Sequence, residues 1–232
     1  MNQVEQSVTE YVDEVWEDVV ADIEQLVSYP SVAVSANAEP GAPFGRPVRD
    51  ALDCALGIAQ KLGYQTSDDE GYVGIADIPG RGDKQLATIC HVDVVPAGPG
   101  WNTDPFAMER REGWLLGRGV IDDKGPAVLS LYAGAYLLKH GIVPRYTFRA
   151  LLGCDEEVGM SDVHHYLENH ADPRLFVYAR CRVPGLQCRE GPVRGDVCEL
   201  QDRRRAHRVV ERCRGEQRHS VAVYLRACDC RR

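Results

Sequence analysis

Three short segments place imidazole or carboxylate groups directly after apolar runs. "ATICHVDVV" carries His91 and Asp93, "GRGVIDDKGP" carries Asp122 and Asp123, and "LLGCDEEVG" carries Asp155, Glu156 and Glu157. Taken alone, each has an ordinary explanation. A core histidine can simply be hydrogen-bonded, and acids are favoured at helix starts by the helix dipole. Taken together they pose a problem, because carboxylates packed side by side repel and resist ionisation. A divalent cation removes that penalty. Histidine with carboxylates is a ligand set suited to zinc, manganese or cobalt. A phosphate loop in "GRGVIDDKG" is the weaker reading, since it lacks the Lys-Ser/Thr ending and its acids would repel a phosphate. His164 and His165 fall in the middle of a helical pattern and read as surface residues.

Elements that could bring these segments together are legible in the apolar periodicity. Val4, Val8, Val12, Val15, Val19, Ile23 and Leu26 recur at helical spacing and predict an amphipathic helix over residues 4–27 whose stripe contacts the core. A second helix is expected over about 48–62, closed by Gly63. Residues 71–78, 84–95 and 146–154 read as strands, and 122–141 and the segment from 159 onward as helices. In the strand over 84–95, side-chain alternation would point His91 and Asp93 the same way. Strands alternating with helices argue for an α/β fold, a layered sheet with flanking helices. In such sheets ligands gather at the carboxyl ends of strands, where all three polar segments lie.

Composition divides the 232-residue chain in two. Residues 1–176 carry 13 Lys+Arg and 28 Asp+Glu, whereas 177–232 carry 14 Arg, no Lys and 7 Asp+Glu. Six of the nine cysteines lie in the second part. One domain seldom changes composition so abruptly, so a boundary is expected near 177. No apolar run is long enough to span a membrane, and the acidic amphipathic start does not resemble a signal peptide, so no membrane association and a cytoplasmic location are expected.

The segments "PFGRPVRDALD", "CHVDVVPAGPGWNTDPF", "GRGVIDDKGP" and "GCDEEVGM" together resemble the M20 family of zinc metallopeptidases, in particular its PepV-like dipeptidase branch, over about residues 5–175. The resemblance implies the incomplete catalytic domain of a dinuclear zinc hydrolase acting on dipeptides or short N-acyl amino acids. It implies metal ligation by His91, with Asp122 bridging two ions and Glu157 on the second. It further implies that Asp93 holds the imidazole of His91, that Glu156 is the general base, and that the peptide between Asp122 and Asp123 is cis.

The same resemblance calls for more than residues 1–176 supply: a further aspartate in a Thr-Pro-Asp context, a distant histidine and a lid domain. It therefore implies a truncated form, inactive or weakly active; the alternative is a non-catalytic metal-binding remnant. The second part could also be an arginine-rich RNA-binding module through "DRRRAHR", but aromatics are scarce and acids interspersed, so no nucleic acid partner is expected. Its cysteines include no Cys-x-x-Cys pair to suggest a zinc module. The expectation for residues 177–232 is a tail translated out of frame and poorly ordered. "VYARCRVPGLQC", from Val177, can be back-translated so that a reading frame one base later gives Phe-Thr-Pro-Asp-Ala-Glu-Phe-Pro-Val-Cys-Asn, which contains the missing Thr-Pro-Asp.

Overall fold

The computed structural model describes residues 3–170, 175–178, 188–190 and 223–226. The order is α1 (Gln3–Val27), α2 (Arg46–Lys61), β1 (Gln65–Asp69), β2 (Val73–Ile78), β3 (Gln85–His91), β4 (Glu109–Arg111), β5 (Trp114–Leu116), α3 (Lys124–Lys139), β6 (Thr147–Gly153), α4 (Ser161–Asn169), β7 (Leu175–Tyr178), β8 (Cys188–Glu190) and β9 (Val223–Arg226). The main sheet runs β1-β2-β6-β3-β7. Its β1-β2 and β2-β6 pairs are antiparallel, and β3 lies parallel to both β6 and β7. A second sheet has the order β4-β5-β9-β8. The expected poorly ordered tail lies outside the described residues, apart from β8, β9 and the end of β7.

The main sheet is covered on both faces. Ala150 and Leu152 of β6 face a core shared with α1, α2 and α3, including Leu26, Leu52, Val128 and Leu131. Leu151 points the other way, into a smaller cluster with Val73, Ile75, Ala87 and Tyr166 of α4. This alternation is the period-two pattern of a strand buried on both sides. Gly134 lets α3 sit close to the sheet: a Cβ there would lie 2.0 Å from the Tyr64 hydroxyl and 2.6 Å from the Phe148 ring. Tyr64 uses that approach to donate to the Leu131 carbonyl at 2.6 Å.

Two expectations need correction. Of the apolar stripe of α1, Val19, Ile23 and Leu26 are buried and Val15 packs against the core, while the residue buried in the first half is Tyr11. Val4, Val8 and Val12 are 67%, 40% and 45% exposed. Here the first half of α1 meets the end of α3 through Ser7 and Tyr11 instead, and periodicity reports a stripe without reporting what covers it. The strand expected over 84–95 ends at His91, where Val92 N–H donates to the Gly153 carbonyl at 2.9 Å and Val94 N–H to Ser31 at 3.0 Å. Asp93 therefore lies beyond the strand, and its position follows from the loop rather than from strand alternation.

Candidate metal centre

The three polar segments meet at the carboxyl ends of β3 and β6. These strands are parallel neighbours in which His91 pairs with Gly153, so whatever follows each strand emerges on the same edge. Between them lies the turn before α3. Its Asp122–Asp123 peptide is cis, as the resemblance implied. One ligand atom from each of His91, Asp122 and Glu157 falls within 4.8 Å of the other two, and among the described residues no other group of three does so. The Nε2 of His91 lies 3.0 Å from Asp122 Oδ1 and 3.9 Å from Glu156 Oε2. All five sequence-derived residues thus converge.

His91 is 2% exposed, and both ring nitrogens are engaged. Its Nδ1 lies 3.0 Å from the Asp93 carbonyl and 3.2 Å from the Asp93 carboxylate. With Nδ1 directed there, Nε2 is the nitrogen turned towards Asp122 and the glutamates. Burial works to lower the pKa of this ring, but the bonds to Asp122 and Asp93 and the charges of Asp93 and Asp123 outweigh it and hold it well above the ordinary value. Glu157 is also raised, first by burial and then by Asp122, with Glu156 and Asp93 adding to the effect and His91 opposing it. Beyond burial, the Asp122, Glu156 and Asp93 contributions are the mutual repulsion of crowded carboxylates, which a divalent cation would relieve. The donor set, one imidazole nitrogen and two carboxylates on a shared focus, fits such a cation.

Several neighbours were not legible in the sequence. Asp123, for which an exposed helix start was the ordinary alternative, is fully buried and makes no side-chain cap to α3. Its Oδ2 instead accepts the backbone N–H of His91 at 3.3 Å. Lys124 is also fully buried; its ammonium donates to the Tyr29 carbonyl at 2.6 Å, and burial pushes its pKa down to about 7. Arg118 sits 5.6 Å over the Trp101 ring and donates to the Ala97 carbonyl at 3.2 Å, tying the loop after Asp93 to the turn before Asp122. His165, read as a surface residue, is half-buried and stacks on Tyr72 with ring centroids 4.1 Å apart, whereas His164 is exposed.

Comparison with known proteins adds an independent line. Residues 87–211 match peptidase family M20/M25/M40, a span that crosses the composition boundary near 177. The chain is 36% identical over 175 residues to the putative dipeptidase YtjP of Bacillus subtilis (strain 168), covering 75% of this chain and 38% of that protein. It is 34% identical over 174 residues to the Beta-Ala-Xaa dipeptidase of Lactobacillus delbrueckii subsp. lactis, covering 75% and 37%. Its fold is similar to that of human carnosine dipeptidase 1, with TM-score 0.66 and 22% identity over 78% of this chain and 42% of that one. The dipeptidase Dug1p of Saccharomyces cerevisiae gives TM-score 0.61 and 20% identity, covering 73% and 38%. The chain thus spans well under half the length of these relatives. Among the described residues, no helix is long and apolar enough to cross a membrane.

Proposed function

Because the chain belongs to the M20/M25/M40 peptidase family, we propose that it carries part of a dinuclear metal centre for the hydrolysis of dipeptides or short N-acyl amino acids. The observation that carries this reading is the convergence of His91, Asp122 and Glu157 within 4.8 Å. In this reading His91 holds one ion, Asp122 bridges to a second, and Glu157 holds the second. Zinc suits the donor set, with manganese or cobalt as substitutes. When bound, the ions supply an acidified water and polarisation of the scissile carbonyl.

The residues of the chain do the rest. Asp93 fixes the His91 ring, so that Nε2 is presented to the centre. Glu156, whose carboxylate is 3.9 Å from His91 Nε2, takes a proton from the attacking water and returns it to the leaving amine. A catalytic zinc ordinarily has three protein ligands, and this set gives two for each ion when Asp122 is counted twice. The chain alone is therefore expected to bind zinc weakly and to turn over dipeptides negligibly.

The reading extends to residues 177–232, which we take to be translated out of frame. Its support is the switch to arginine and cysteine without lysine, and the Thr-Pro-Asp recovered one base later. Sequencing the gene tests it. A shifted frame that stays open and encodes a lid domain supports it; one that soon meets a stop overturns it, and the family match through residue 211 then describes a genuine tail.

The catalytic assignment is tested in a version of the protein carrying every family ligand. Glu156→Gln should abolish hydrolysis while leaving zinc affinity within about threefold, because a base acts on the water whereas a ligand holds the ion. Near-normal turnover would remove Glu156 from the role of base. Robust zinc-dependent hydrolysis by the 232-residue chain would contradict the incompleteness of the site.

A further inference from the structure

The segment bearing Glu156 and Glu157 leaves the sheet at Gly153, yet four successive backbone N–H groups there are all satisfied by side chains. Cys154 and Asp155 donate to Asp162 Oδ2 at 2.6 and 3.1 Å. Glu156 and Glu157 donate to Asp93 Oδ1 and Oδ2 at 3.3 and 3.0 Å. We propose that Asp162 is a positioning residue for the metal centre: with Asp93 it forms a cradle of two buried carboxylates that grips four consecutive amides and so sets where the Glu156 and Glu157 side chains stand.

Three observations support this. Asp93 is fully buried and Asp162 is 1% exposed, so each carboxylate needs donors, and charge-assisted bonds to amides are strong ones. The other oxygen of Asp162 is held by Val163 N–H at 2.7 Å, which leaves the carboxylate little freedom to turn. Gly153 makes the approach possible: a Cβ there would stand 2.5 Å from Asp162 Oδ2, closer than real contacts allow. The glycine before "CDEE" is thus explained by the carboxylate it admits. The downstream end of the segment is closed separately, by Ser161 donating from its hydroxyl to Asp155 Oδ2 at 2.6 Å. The plainer role for Asp162, capping the first turn of α4, accounts for its bond to Val163 but not for the two bonds to residues 154 and 155.

What this position is used for rests on the proposed metal centre; that Asp162 sets it does not. The test combines amide hydrogen exchange at residues 154–157 with zinc titration of the full chain, comparing wild type, Asp162→Asn and Gly153→Ala. Asparagine keeps one acceptor but turns an NH2 towards an amide donor. The alanine's Cβ would stand 2.5 Å from Asp162 Oδ2 and so forces that carboxylate off the amides, breaking the same contact with Asp162 itself intact and keeping the test alive if Asp162→Asn fails to fold. Both variants should speed exchange about tenfold or more at all four amides, including those of Glu156 and Glu157. Both should weaken zinc binding by about ten- to hundredfold, with the amides of α4 still protected. Faster exchange confined to 154, 155 and α4, with Glu156 and Glu157 unchanged, would overturn the proposal and leave Asp162 as a helix cap. A wild-type chain that binds no zinc would defeat the metal-centre reading, while the exchange at Glu156 and Glu157 would still decide the cradle.

Discussion

Two clusters in this molecule draw on the same residue types and come to different ends. At the carboxyl ends of β3 and β6, His91 meets Asp122, Glu156 and Glu157. At the β1 edge, His165 and His170 of the α4 region both turn to Asp69, at 3.6 and 3.1 Å. Only the first brings three ligand atoms to one focus among the described residues. In the second, the rings are occupied on their faces, His165 by Tyr72 and His170 by Tyr166 at 4.6 Å. Asp69 hydrogen-bonds His170 at 3.1 Å, His165 Nε2 lies nearer Asn169 at 3.3 Å, and among the described residues these groups form no three-ligand focus. The contrast shows what turns a set of polar residues into a candidate metal centre. Several acids must converge past the point where hydrogen bonding alone can neutralise them, and buried groups behind must fix the direction of each ligand.

If this contrast is right, the two clusters respond oppositely to substitution. The largest effect is expected from His91→Ala, which should cost more than about a hundredfold in zinc affinity by calorimetry, a loss of about 2.7 kcal/mol; His170→Ala should leave zinc affinity unchanged. Equal losses from the two would erase the distinction. Next comes Asp93→Asn, which loosens both the His91 ring and the acid segment and should weaken zinc about ten- to hundredfold. An unchanged isotherm would mean that neither contact matters to the ion. A smaller effect concerns protons. Because an imidazole must give up its proton to ligate, and that of His91 is held well above its ordinary pKa, zinc should bind more tightly as pH rises from about 5 through 8 and should release protons into the buffer. An observed binding enthalpy that does not vary with the buffer's ionisation enthalpy would contradict ligation through His91. The smallest effect is His170→Ala on thermal unfolding, about 0.2–1 kcal/mol as for a partly exposed ion pair.

Much of this arrangement was legible in the sequence, and the illegible part has a common cause. His91 and Glu157 stand out because polar residues directly after apolar strand runs have few structural reasons to be there; Asp122 follows the apolar pair Val120 and Ile121, which the structure places in a turn rather than a strand. The strands themselves follow from those runs. β1, "QTSDD", escaped because a polar edge strand carries no apolar signal at all. Asp162 and Lys124 escaped because each sits in a helix's first turn, where charge has a ready explanation, and their burial depends on tertiary neighbours. The first half of α1 failed for the converse reason: Val4, Val8 and Val12 continue the stripe, but the contact with α3 runs through Ser7 and Tyr11. Local pattern reports what a segment could bury, whereas contact between distant segments decides what it does bury.

The central claim is that His91, Asp122 and Glu157 form a cation site, and anomalous scattering at the zinc edge from crystals of the chain grown with zinc tests it most directly. The account predicts two peaks, one about 2.0–2.2 Å from His91 Nε2 and an Asp122 carboxylate oxygen, the other about as far from the second Asp122 oxygen and a Glu157 oxygen. A peak between Asp69, His165 and His170 with none at His91 would contradict it, as would no peak at either cluster.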